Sequence, residues 1–190
     1  MAKSKFRRGM ERLTWFLLIA TAILIAIYWL TRADWALSCA ISVGTALYHF
    51  VMRLAVGFLV PLLVRKYNTD CWWFRPHRWE SGFYRTLKVR KWKHRLPTYD
   101  PSQFSTQYYS LPQIVHNMCQ AEVVHEVIMV LSFVPMAFIP VFGAFPVFLS
   151  TSLASAIIDC VFVIAQRYNR PRLVRTLDKQ HKRRPIKTLF

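Results

Sequence analysis

Residues 121–173 read AEVVHEVIMVLSFVPMAFIPVFGAFPVFLSTSLASAIIDCVFVIAQRYNRPRL, and the way this stretch folds decides the architecture. Its apolar part, residues 121–165, is too long for a single membrane span, which takes roughly 20 residues. No charge lies between Glu126 and Asp159, and Pro135, Pro140, Gly143 and Pro146 gather near the middle. Two helices folded back on each other, with a tight turn near residues 140–146, explain this pattern. With residue 143 as the turn, positions equally far before and after it lie at similar depth. Glu122 then faces Ile164, so residues 120–126 meet residues 161–166 at one membrane edge. QRYNRPRL, residues 166–173, begins where AEVVHE sits. Two polar clusters that are distant in sequence converge there.

Composition agrees with a membrane protein. Of 190 residues, 54 % are apolar, yet Lys and Arg number 26 against 9 Asp and Glu. A soluble nucleic-acid binder would be basic but less apolar. The cysteines at 39, 71, 119 and 160 have no CxxC spacing, which argues against a zinc site or a disulfide framework. The first apolar run has a basic front but no small-x-small cleavage site before Tyr28-Trp29-Leu30, so it reads as a retained helix.

The expectation is an all-α, polytopic membrane domain over residues 1–190 with about four transmembrane helices. The spans are placed at about 15–30, 36–64, 121–139 and 146–165. Residues 65–119 form a basic, Trp-rich interfacial segment between the second and third helices, and 167–190 form a basic, partly disordered tail. Lys and Arg number five before the first span, one after it, ten in 65–119, none at the hairpin turn and nine after Ala165. The positive-inside rule puts both termini and the central segment in the cytoplasm.

Within AEVVHE, Glu122, His125 and Glu126 share a helix face. A carboxylate beside an imidazole fixes its tautomer and raises its basicity, as a general base requires. A hydrogen-bonded interfacial His with a snorkelling Glu is the structural alternative, although ionisable groups at this depth are costly. ExxH is also half of a di-iron carboxylate signature, but no second ExxH occurs, so no metal is expected. His49 and Arg53, one turn apart in the second span, read as a structural polar pair. VRKWKH, residues 89–94, lies in the segment that holds four of the seven tryptophans. Such a run suits anionic lipid headgroups. It also suits an acidic cosubstrate, such as the phosphates of an acyl-CoA held by Arg90, Lys91 and Lys93. Single-stranded nucleic acid, the other partner of basic and aromatic runs, does not suit a membrane setting.

FYRTLKVRKWKHRLP (83–97), QAEVVH (120–125) and QRYNRPRL, in this order, resemble the glycosyl-4,4'-diaponeurosporenoate acyltransferases, small bacterial membrane enzymes. The likeness covers about residues 67–177 and departs from the family pattern at Gln120, Asp159 and Val161. It implies an O-acyltransferase that esterifies a sugar hydroxyl of a membrane glycolipid, such as a carotenoid glycoside, in carotenoid biosynthesis at the bacterial cell membrane. The His-x4-Asp signature of glycerolipid acyltransferases is absent.

On that basis His125 is the expected base, oriented by Glu122. Tyr168, Arg167 and Arg170, with Gln166 and Asn169, are the oxyanion and substrate candidates. Arg90, Lys91, Lys93 and Arg172 are the candidates for donor phosphates. No bound cofactor is expected, the cosubstrate being acyl-CoA or acyl carrier protein. The expected partners are the bilayer, a glycolipid acceptor, the donor and other pathway enzymes. The alternatives are a non-catalytic adaptor that binds anionic lipid or a pathway partner, and a lipid methyltransferase.

Overall fold

The computed structural model describes residues 5–69 and 71–183. Among the described residues there is no strand, and the protein is all-helical. Helices α1 (Lys5–Thr31) and α2 (Asp34–Leu63) pack as an antiparallel pair. Two short helices, α3 (Glu80–Thr86) and α4 (Val89–Trp92), follow outside the bundle. Then come α5 (Leu111–Leu131), the one-turn α6 (Ile139–Phe142) and α7 (Phe145–Arg183). Among the described residues, four helical segments are long and apolar enough to cross a membrane: Lys5–Thr31, Asp34–Leu63, Leu111–Phe142 and Phe145–Gln180.

The hairpin turns at Gly143. Pro140 opens α6, whose carbonyl at Ile139 accepts the Gly143 N–H at 2.8 Å. Gly143 has φ 63°, the left-handed region that a side chain disfavours. Beyond it α5 and α7 form the main helix–helix contact. Ser132 meets Ser155 at 2.7 Å and His125 meets Asp159 at 2.7 Å, which sets the antiparallel register around that glycine. α2 lies against the pair, with Met52 and Val56 on Ile128, and Tyr48 donates to the Leu131 carbonyl at 2.8 Å.

Several helix ends differ from the span ends the sequence suggests, α1 starting at Lys5 rather than near 15 and α5 ending at Leu131 rather than near 139. α5 begins at Leu111 rather than near 121, because Ser110 and Gln113 cap it and Pro112 opens it. The Gln113 side chain accepts the Ser110 N–H at 2.8 Å, a satisfied S-x-x-Q start. α7 does not stop at Ala165 but runs to Arg183, with Pro171 inside it. Proline reads as a terminator, yet only the bond to one carbonyl is lost, and packing against α5 carries the helix onward. At 39 residues α7 is about 58 Å long, far more than a hydrocarbon core needs, so its basic half stands outside the apolar layer. The rest of the tail, from residue 184, lies outside the described residues.

Gly143→Val forces a β-branched residue into the left-handed region, at a cost of roughly 1–2 kcal/mol. Thermal unfolding in detergent is expected to show a lowered midpoint for this variant. Gly143→Asn is expected to fall much closer to the parent, since asparagine tolerates this conformation.

Candidate functional site

The helical run past Ala165 puts Arg167 and Arg170 three residues apart on one face of α7, opposite Glu122 of α5. Glu122 is fully buried, and each of its oxygens takes one arginine. Oε1 accepts from Arg167 at 2.9 Å, and Oε2 pairs with Arg170, which is 3 % exposed. Arg170 also donates to the Phe74 carbonyl at 2.6 Å and lies over the Phe74 ring. Arg167 reaches Glu80 at 2.7 Å and the Trp73 carbonyl at 3.0 Å. Trp73 in turn donates through its indole N–H to Glu126 at 3.0 Å. Two arginines thus bind the segment before α3 onto the α5–α7 pair.

His125 lies one turn deeper, and its partner is Asp159, not Glu122. Nδ1 is 2.7 Å from Asp159 Oδ1, and the ring stacks on Phe162 with centroids 4.7 Å apart. Asp159 is 1 % exposed and also accepts from Arg53 at 2.6 Å. Arg53 further donates to Ser155 Oγ at 2.9 Å. The expected Glu122–His125 couple fails because both carboxylate oxygens of Glu122 are taken by arginines. Arg53 likewise pairs with Asp159 and not with His49, whose two ring nitrogens are buried without hydrogen-bond partners. Two lone charges inside apolar runs, Arg53 and Asp159, are the sequence signal that could have found this pair.

Outside the apolar layer, a cavity of about 620 Å³ lies between α3, α4 and the outer half of α7. Eight of its lining side chains are Lys or Arg, including Arg90, Lys91, Arg167 and Arg172. Its one acid, Glu80, is already paired with Arg167. Tyr168 forms part of the wall, with Arg172 3.6 Å and Lys93 4.9 Å from its ring centroid. Lys93 itself pairs with Asn169 and does not line the cavity. Gln166 is half-buried on α7 beside Arg167. The sequence candidates therefore divide into a deep His125 group and an outer cationic group. Arg170 serves neither, since both ends of its guanidinium are engaged within the fold.

Burial pushes the Glu80 carboxyl up, but hydrogen bonds from Arg167 and Tyr84 outweigh it, and the net shift is downward. The Tyr84 hydroxyl is raised by burial and by its 2.8 Å bond to Glu80. Burial lowers the Lys93 ammonium, helped by the nearby Arg172 and Arg90.

These features define an all-helical protein with four membrane-spanning-type helices, a histidine–aspartate couple near the edge of the apolar layer and a cationic cavity outside it. A family model described as glycosyl-4,4'-diaponeurosporenoate acyltransferase matches residues 70–179, more than half of the chain. The chain belongs to that family. Neither curated proteins nor solved structures give a match. The matched region starts just before Trp72 and takes in α3 through most of α7, so it contains His125, Asp159 and the cavity but not Arg53.

Removing one member of a buried ion pair costs about 3–5 kcal/mol, whereas removing both costs less. Arg170→Met is therefore expected to lower the unfolding midpoint in detergent sharply, and Glu122→Met with Arg170→Met to recover part of the loss. A second outcome follows from Glu80. A carboxyl held below its ordinary value stabilises the fold above that value and loses this contribution as pH falls through the folded-state value. Thermal stability is expected to decline below about pH 4.5, and Glu80→Gln to flatten that acid limb.

Proposed function

We infer that the protein is a membrane O-acyltransferase that esterifies a sugar hydroxyl of a membrane glycolipid, a carotenoid glycoside being the acceptor its family suggests. The observation that carries this reading is the 2.7 Å contact between His125 Nδ1 and Asp159, which leaves Nε2 as the lone-pair nitrogen. Asp159 fixes the tautomer, as a carboxylate does for the histidine of a hydrolytic triad. His125 takes the proton of the sugar hydroxyl, and the oxygen attacks the thioester carbonyl of the donor. The thioester C–S bond then breaks, and the imidazolium returns its proton to the departing thiolate. An ester and a free thiol result.

The cationic cavity supports a donor that carries phosphate. Phe162, beside His125, and Arg172, in the cavity wall, are ten residues apart on one helix, about 15 Å along its axis. A phosphopantetheine arm, present on both acyl-CoA and acyl carrier protein, separates phosphate and thioester in that manner. Arg90, Lys91 and Arg172 then hold the acidic end. Tyr168 lies about 9 Å past Phe162 and so fits the arm better than the reacting carbonyl. Arg53, bonded to Asp159, is the cation that stands next to the base and suits the developing oxyanion. Both termini and the cavity face the cytoplasm in this reading. Arg7 of α1 lies over Tyr99, and the Lys93–Asn169 contact joins the central segment to α7, so the three basic regions share one end of the bundle.

General-base catalysis contributes about 10²–10⁴-fold. His125→Ala is expected to lose roughly that much acyl transfer from labelled donor to glycolipid, measured at a temperature well below its own unfolding midpoint. Asp159→Asn should follow it in direction. An unchanged rate in purified His125→Ala protein would reject the mechanism. Labelled methyl groups appearing in lipid from a methyl donor would reject the reaction class.

A further inference from the structure

α3, with Trp79 before it and Leu87 after it, has two chemically distinct faces. Glu80 and Tyr84 point inward, to Arg167 and to the Tyr168 ring. With Ser81 and Arg85 they line the cavity. Trp79, Phe83 and Leu87, spaced four apart, form the other face and are 66 %, 41 % and 39 % exposed. The Trp79 and Phe83 rings touch edge to face with centroids 5.9 Å apart. Trp72, in the turn before them, is as exposed as Trp79.

The depth of this apolar face is fixed by hydrogen bonds. The carbonyls of Trp73 and Arg75 accept from Arg167, and that of Phe74 accepts from Arg170. The Trp73 indole donates to Glu126. Arg167 and Arg170 are the first charges after the apolar run of α7 that ends at Ala165, so the segment is tied down where the apolar layer stops. Between residues 71 and 95 there are eight Lys and Arg and a single acid, Glu80, which is paired. Exposed tryptophan at that depth, within an otherwise cationic segment, matches the chemistry of a lipid headgroup layer.

We propose that α3 is an in-plane helix whose Trp79–Phe83–Leu87 face rests in the headgroup–acyl boundary of the bilayer, while its opposite side walls the cationic cavity. The cavity then opens beside lipid. An acyl chain attached to a phosphate-bearing ligand passes from the cavity into the bilayer along α3 without crossing water. The placement rests on the four apolar helices and not on the catalytic role of His125, so its test reads position rather than turnover.

The full-length protein is reconstituted in phospholipid vesicles with benzoylphenylalanine at position 83 or, on the cavity side, at position 81, and irradiated. Both variants are first checked for a parent-like unfolding midpoint. Lipid adducts are expected at 83 and are expected to be several-fold fewer at 81. The Trp79→Ser, Leu87→Ser background should reduce the adducts at 83. Equal lipid yields at 81 and 83, or adducts at 83 with a second copy of the chain in place of lipid, would overturn the proposal.

Discussion

A single buried carboxylate organises this molecule. Glu122 sits at full burial between Arg167 and Arg170, and those arginines also hold the backbone of residues 73–75 and the Glu80 side chain. An unpaired carboxylate in that position would be costly, and so would either guanidinium alone. Each group therefore requires the others. The outcome is a junction that locks α5 to α7 and fastens the outer segment across both. The cavity exists because this junction holds α3 against the outer half of α7.

The same junction separates two kinds of polar chemistry. Below it, within the apolar layer, His125, Asp159, Arg53 and Ser155 form a compact chain of hydrogen bonds. Above it lies the cationic cavity with its tyrosine wall. A reaction that joins a water-soluble acidic handle to a membrane-bound hydroxyl needs both environments within the reach of one donor. In the proposed acyl transfer, charge in the cavity orients the handle and the imidazole acts on the acceptor hydroxyl. Family membership supplies the acyltransferase class, and the geometry places in two separate environments residues that the sequence alone groups together.

Much of the fold is legible from hydropathy and punctuation. Long apolar runs, the charges that bound them and the proline–glycine cluster around Gly143 suffice for four helices and a hairpin with its register. The partner of His125 was not legible in the same way. Glu122 is the nearer carboxylate in sequence, one turn away, whereas Asp159 is 34 residues distant and approaches only through the hairpin. Sequence proximity favours the local pair, but the two arginines of α7 capture Glu122 first. Their capture depends on α7 remaining helical from Ala165 to Arg170, past the point where the apolar run stops. Glu80 was hidden for a related reason, since nothing in ESGFYRT signals a partner on α7.

The pairing within the membrane layer can be measured directly. Solid-state NMR of the protein in lipid bilayers, with nitrogen-15 in histidine and carbon-13 in the side-chain carboxyls of aspartate and glutamate, reports which carboxyl lies against His125. A strong dipolar coupling from His125 Nδ1 to Asp159 Cγ is expected, in keeping with the 2.7 Å nitrogen–oxygen contact, and it should vanish in Asp159→Asn protein prepared with the same labels. Coupling to Glu122 instead, or to neither carboxyl, would contradict the arrangement of α5 and α7 on which the histidine's role depends.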